Sequence, residues 1–193
     1  MKRYLLLLSF VICNVVAGFA QSDFQKAVTR YKNVKLVTAV VSKTAHKNAL
    51  ANDVVTKGTF EMKAPAEVSI IMEGGKDQLL MQGSTFTMVV KGKKHTTNSG
   101  KNTQFVSFQA VFESILSGGT KDISKLDDMT IDKRSGMLVL TITPKAASKK
   151  AARRMLFSSI VITIDPKTSE VKSLRMNERG GYTEYTFSGY KFK

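Results

Sequence analysis

Residues able to do chemistry are few in this chain of 193 residues. His46 and His95 are the only histidines, set in TAHKN and KKHTT, and neither stands beside a candidate nucleophile or carboxylate in the sequence. Two histidines without a thiolate to help them fall short of a His/Cys metal site. Asp127 and Asp128 are adjacent, so their side chains diverge, and they read as the end of a loop. Serines are plentiful, but no G-x-S-x-G is present. The expectation is therefore no enzyme, no cofactor and no metal. Apolar capture needs none of these groups. Sequestering an acyl chain gains roughly 0.8 kcal/mol per buried methylene, so a dozen or more methylenes gain on the order of 10 kcal/mol before entropy costs. It requires a large, adaptable apolar interior, and the chain is rich in methionine, the most adaptable core residue.

The elements that could build such an interior begin after a leader. Met1-Lys2-Arg3 is basic, Leu5 to Val16 is apolar apart from Ser9 and Asn14, and Gly18-Phe19-Ala20 supplies small residues at the two recognition positions. This reads as a secretory signal peptide, residues 1–20, cut after Ala20. Its apolar core is shorter than the roughly 20 residues of a membrane span. Cys13 follows Ile12 rather than a small residue, which argues against lipoprotein processing there. Residues 21–193 are then a single exported domain without cysteine, so disulfides and thiol chemistry are excluded. Loss of Lys2 and Arg3 leaves +13 of the formal net charge of +15. Such an excess fits anionic lipid or an acidic partner, or simply a solvated basic surface. An exported protein is not expected to meet nucleic acid.

Strand periodicity is plainest over Gly58–Val90. Phe60/Met62, Val68/Ile70/Met72 and Phe86/Met88/Val90 each fall two apart, and Pro65, Gly74-Gly75 and Gln82-Gly83 punctuate them. Before this stretch, Ser22 as N-cap with Phe24, Val28 and Tyr31 predicts a short amphipathic helix over 22–32, followed by strands over 34–46 and 54–63. After it the period changes. Phe105, Phe108, Phe112, Ile115 and Leu116 recur three or four apart, giving a helix near 104–117 stopped by Gly118-Gly119. Three phenylalanines on one short helix either plug the core of the sheet or cover a cavity within it. Strands resume over 130–133, 137–143, 157–164, 170–177 and 182–188. About eleven short, evenly spaced strands predict one curved sheet, closed or half-closed on itself.

The order of these segments resembles the LolA-like outer-membrane lipoprotein carriers. GTFEMKAP stands where that family has a Gly, an alternating strand and a basic residue before Pro. LLMQGSTFTMVV is similar to its strand, Gly turn and strand, and LVLTITPK to its L-x-L-x-P-K strand end. IVITIDPKTSEVKSLRMNERGGYTEYTFSGYKF is similar to its closing strands, with Asp165 and Gly181 at the turns. The resemblance implies a mainly β fold with some helix: an incomplete antiparallel barrel covered by a short helical lid. It implies acyl chains of lipoproteins held in the cavity, a monomer in the periplasm, an inner-membrane lipoprotein-releasing transporter as donor and an outer-membrane acceptor. Two features depart from the family. Its lid-latching arginine before Pro is Ala64 here, and the extension some members carry beyond the last strand is not expected, since the sequence read here stops at Lys193. Other readings are a carrier of another lipid or hydrophobic product, and an envelope-stress sensor of related fold.

Alternation nominates Leu36, Val40, Phe60, Met62, Val68, Ile70, Met72, Leu80, Phe86 and Met88 as sheet residues lining the cavity, with Phe105, Phe108, Phe112 and Ile115 from the lid. Lys149, Lys150, Arg153 and Arg154 form a basic cluster suited to docking on anionic headgroups or an acidic partner.

Overall fold

A computed structural model of the chain describes residues 21–100, 102–146, 148–152 and 155–193. The expected signal peptide, including Cys13, lies outside the described residues. Eleven antiparallel strands form one sheet: β1 (Leu36–Lys47), β2 (Val54–Lys63), β3 (Glu67–Met72), β4 (Gln78–Gln82), β5 (Thr85–Val90), β6 (Lys93–Asn98), β7 (Met129–Arg134), β8 (Met137–Ile142), β9 (Ser159–Asp165), β10 (Glu170–Glu178) and β11 (Gly181–Phe192). Their order is β6-β5-β4-β3-β2-β1-β11-β10-β9-β8-β7. Two meanders are thus joined through the pairing of β1 with β11, the two longest strands. Strands β6 and β7 are unpaired edges, so the sheet curls without closing.

The helices cover what the curl leaves open. Helix α1 (21–28) continues as a tight turn over Thr29–Asn33. It already runs at residue 21, so Ser22 lies inside it rather than capping it. Phe24, Ala27, Val28 and Tyr31 are buried, one apolar stripe at helical spacing. Helix α2 (Val106–Leu116), entered through Thr103–Phe105, sits in the connection between the two unpaired edges. Helix α3 (Lys149–Ala152) is one turn in the β8–β9 connection.

Three glycines set the curvature and the lid. Gly58 faces inward between Val41 and Met72, and a Cβ there would stand 2.3 Å from the Ile71 carbonyl oxygen, so the sheet bends too sharply for any side chain. At the end of α2, Gly118 and Gly119 adopt positive φ and return their N–H groups to the carbonyls of Ile115 and Ser114. A Cβ on Gly118 would lie 2.7 Å from Lys32 and one on Gly119 2.9 Å from Gln25, so this stop also lets α2 close on α1.

Strand β11 runs to Phe192, beyond the expected end at Ser188. Gly189, with φ 65°, supplies the extra residue of a bulge where Thr38 pairs Lys191 and Val40 pairs Ser188. The strand then continues, and Phe192 and Tyr190 pack on the core.

Candidate functional site: the covered apolar face and its charged mouth

The inward register is read directly from the ladders. Val37, Ala39 and Val41 of β1 oppose Met62, Phe60 and Gly58 of β2, which oppose Val68, Ile70 and Met72 of β3. Leu79 and Met81 continue the face on β4, and Phe86 and Met88 on β5. Of the expected lining, the structure brings Phe60, Met62, Val68, Ile70, Met72 and Phe86 into one buried core with Phe105, Phe108, Phe112 and Ile115, and Met88 packs half-buried against it.

Three expected lining residues are corrected. Val40 is 54% exposed, and Leu36 is half-buried on the same convex side, because β1 turns Val37, Ala39 and Val41 inward. Leu80 likewise yields to Leu79 and Met81. In both strands apolar residues stand side by side, so alternation does not fix the phase, and pairing with the neighbouring strand does. Alternation also passed over Tyr185, Phe187 and Met176 on the C-terminal meander, which close the far wall.

Helix α2 is held to the sheet by rings. Phe105 stacks on Phe86 at 4.5 Å and 24°, Phe108 meets Phe86 at 5.7 Å, and Phe105 meets Phe157 edge-on at 5.6 Å. One helix thereby touches strand β5 on one side of the seam and the entry to β9 on the other. Its polar groups turn elsewhere. Ser107 donates to Asp128 (2.5 Å), Ser114 donates to the Lys121 carbonyl (2.6 Å), and Glu113 pairs with Gln109 and Lys121. Among the described residues, every hydrogen bond from an α2 side chain goes to the helix itself or to the 117–128 link. The family latch position, Ala64, is exposed, and the neighbouring Lys63 pairs with Glu61 at the solvent side (2.9 Å).

The space beneath α2 is filled by these rings, and the hollow beside Phe105 measures only about 80 Å³. A larger hollow of about 320 Å³ opens at the end of the sheet where β1 finishes and β11 begins. That places it at the low end of the roughly 300–1,000 Å³ usual for ligand pockets. Its floor is apolar, with Met88, Leu156, Phe157, Met176 and Tyr185. Its rim is charged: Lys43 donates to Asp77 at 2.5 Å, and Lys47 pairs with Glu178, which also accepts from Thr183. Burial pushes the Asp77 carboxyl up, but the Lys43 ammonium and the Lys91 N–H outweigh it and hold the group below the usual carboxylate range. Burial drives the Tyr185 phenol far above its usual range, and the charges of Asp77 and Glu178 add to this.

No protein-family model matches this chain, and neither does any curated protein. Solved structures do match. It is similar to a putative outer membrane lipoprotein-sorting protein domain from Vibrio parahaemolyticus (13% identity, 92% of this chain and 93% of that one, TM-score 0.45). It is also similar to a LolA superfamily protein from Nitrosomonas europaea (10% identity, 90% and 93%, TM-score 0.39). A third match is to the Pseudomonas aeruginosa MucA/MucB complex (14% identity, 90% of this chain and 56% of that one, TM-score 0.38).

The nominated basic cluster and the two histidines complete the comparison with the sequence, and His95 lines the hollow beside Phe105. Lys150 is exposed on α3, Lys149 is on the same turn, and Arg153 and Arg154 fall outside the described residues. His46 does have a carboxylate neighbour, contrary to the reading from sequence: Asp53 lies 2.7 Å from its Nδ1, brought back by the β1–β2 turn, and the ring stacks on Tyr182 at 4.9 Å. His95 is exposed on the edge strand β6, opposite Met88.

Proposed function

We propose that this protein is a periplasmic carrier that holds the acyl chains of lipoproteins between its curled sheet and α2, and moves them from the inner to the outer membrane. It acts by binding and performs no catalysis. The observation that carries the reading is the manner in which α2 closes the seam: aromatic rings toward the sheet, and, among the described residues, side-chain hydrogen bonds only within the helix and to the 117–128 link.

Magnitudes favour exchange of rings for cargo. Withdrawing three phenylalanines from the core forfeits about 1.5–3 kcal/mol each, roughly 5–9 kcal/mol together. An acyl chain of a dozen or more methylenes returns on the order of 10 kcal/mol on taking their place. The helix therefore plugs the empty protein and yields to cargo, and the adaptable Met62, Met72, Met81 and Met88 beneath it accommodate chains of differing shape. The order of segments resembling the LolA-like carriers supports lipoproteins as cargo, and the basic and apolar pattern of residues 1–20, read as a signal peptide, supports the periplasm. Lys149, Lys150, Arg153 and Arg154 are assigned to docking on an acidic partner at the handover.

The test is release of acylated proteins from inner-membrane vesicles carrying the matching transporter. The purified protein is expected to bring them into solution as a complex. Vesicles that retain all their lipoproteins in its presence overturn the reading.

A further inference from the structure

The hollow at the end of β1 contains groups that an acyl chain does not need. Lys43 and Lys47 occupy inward positions of β1, in the same alternation as Val37, Ala39 and Val41, where an aliphatic side chain would extend the apolar face. Lysine is among the residues least often turned inward, so two of them on one strand face call for a reason. Lys43 is only 16% exposed at its side chain. Lys91, an exposed residue whose backbone N–H donates to Asp77, also lines the hollow, so three lysines there meet two carboxylates, Asp77 and Glu178. The excess is one positive charge at the rim of a partly enclosed, low-dielectric space, where charge acts more strongly than in water.

A further group is unspent. Tyr185 is 7% exposed and lines the same hollow, yet no described residue hydrogen-bonds its hydroxyl. Its ring is buried while its hydroxyl is not among the buried atoms that lack a partner, so the hydroxyl is open to the hollow as a free donor. Burial raises the pKa of Tyr185, and the charges of Asp77 and Glu178 add to this, so the phenol keeps its proton and can donate it.

The hollow lies next to the region under α2 and shares part of its wall. Met88 and Leu156 line both it and the small hollow beside Phe105, and Phe157 touches Phe105. A tail pointing from the rim toward the helix meets apolar side chains, Met88, Leu156 and Phe157.

We propose that the mouth is a headgroup subsite for an amphiphile whose polar end carries an oxyanion, a carboxylate or a phosphate, with Lys43 and Lys47 as counter-charges and Tyr185 as the neutral donor. Asp77 and Glu178 hold the two ammonium groups in place while the site is empty. They share them with the oxyanion when it arrives, as a charged hydrogen-bond network rather than a bare pair. The subsite rests on the acyl-binding reading above and narrows it to cargo with an acidic polar end.

The test is displacement of the neutral apolar dye N-phenylnaphthylamine from the full mature protein by four probes: hexadecyl phosphate, hexadecanol, hexadecyltrimethylammonium and inorganic phosphate. Hexadecyl phosphate is expected to displace the dye at least about tenfold more tightly than hexadecanol, with the ammonium probe weakest. Inorganic phosphate is expected to leave both the dye and hexadecyl phosphate undisturbed. In Lys43→Gln and Lys47→Gln the advantage of the phosphate probe over hexadecanol should shrink severalfold, with Tyr185→Phe showing a smaller loss and the outward Lys57→Gln none. Lys43→Gln/Asp77→Asn removes the pair without stranding a carboxylate, so the subsite is tested even if the single variant folds poorly. Equal displacement by the three alkyl probes, or competition by inorganic phosphate as strong as that of hexadecyl phosphate, overturns the subsite. Failure of the dye and every alkyl probe to bind overturns the acyl-binding reading beneath it.

Discussion

Phe105, at the entrance to α2, lies 4.5 Å from Phe86 of β5, the two rings 24° from parallel. Phe86 is reached a second time by Phe108, one turn further along. The helix is thus pinned to the strand meander by contacts that an alkyl chain can replace in kind. Removing one ring should separate the cost of the plug from the worth of the cavity. Phe108→Ala is expected to lower unfolding free energy by about 3–5 kcal/mol. It should also raise the affinity for N-phenylnaphthylamine, since the space vacated is apolar and stays available to ligand. Chemical denaturation and dye titration on the same samples check both.

The tether of α2 to its link should act on rate more than on stability. Ser107→Ala removes the bond to Asp128 and Ser114→Ala the bond to the Lys121 carbonyl. Each is expected to cost about 1 kcal/mol of stability. Stopped-flow dye loading should become faster in both, because the ends of α2 are freed while the rings facing the cavity are unchanged.

Curvature depends on Gly58. Gly58→Val would put side-chain atoms against the backbone of β3, where a Cβ already lies 2.3 Å from the Ile71 oxygen. The expected loss is about 3 kcal/mol or more, in the range of overpacked or strained cores. Gly136, at φ 78° in the β7–β8 turn with open space around it, should lose only about 1 kcal/mol on change to Ala. Thermal melts of the two variants give the comparison.

Much of this was legible beforehand for a simple reason. Alternation separated by Gly and Pro marks strands, and a shift to spacings of three and four marks α2, because both periods are fixed by backbone geometry. The strand count and the helix over 106–116 follow from that. Phase does not. Leu36-Val37 and Leu79-Leu80 offer an apolar residue to either face, and only the partner strand selects one. The continuation of β11 past Gly189 was hidden because a bulge glycine and a terminating glycine look alike in sequence. The mouth was hidden more deeply. Nothing in the sequence singles out Lys43 and Lys47, because their partners Asp77 and Glu178 come from distant turns and strands.

The rim pair gives a pH dependence with a definite sign. Asp77 has its carboxyl pKa depressed in the folded protein, net of burial, by the Lys43 bond and the Lys91 N–H. A depressed carboxylate contributes stability that is complete above its unfolded pKa and is lost as pH falls through the folded one. Urea unfolding should therefore show an acid loss that begins as pH falls through the ordinary carboxylate range, continues below it, and is smaller in Asp77→Asn. The variant is expected to be the less stable of the two at neutral pH, and the two proteins should converge in acid.

Native mass spectrometry of the mature protein, purified without detergent and then incubated with an acylated lipopeptide, tests the enclosed-hydrocarbon account most directly. The account predicts a one-to-one adduct of the lipopeptide, absent with the same peptide lacking its acyl chains, and stronger in Phe108→Ala than in the parent. A protein that stays at its bare mass with the acylated and unacylated peptides alike, in both parent and variant, contradicts it.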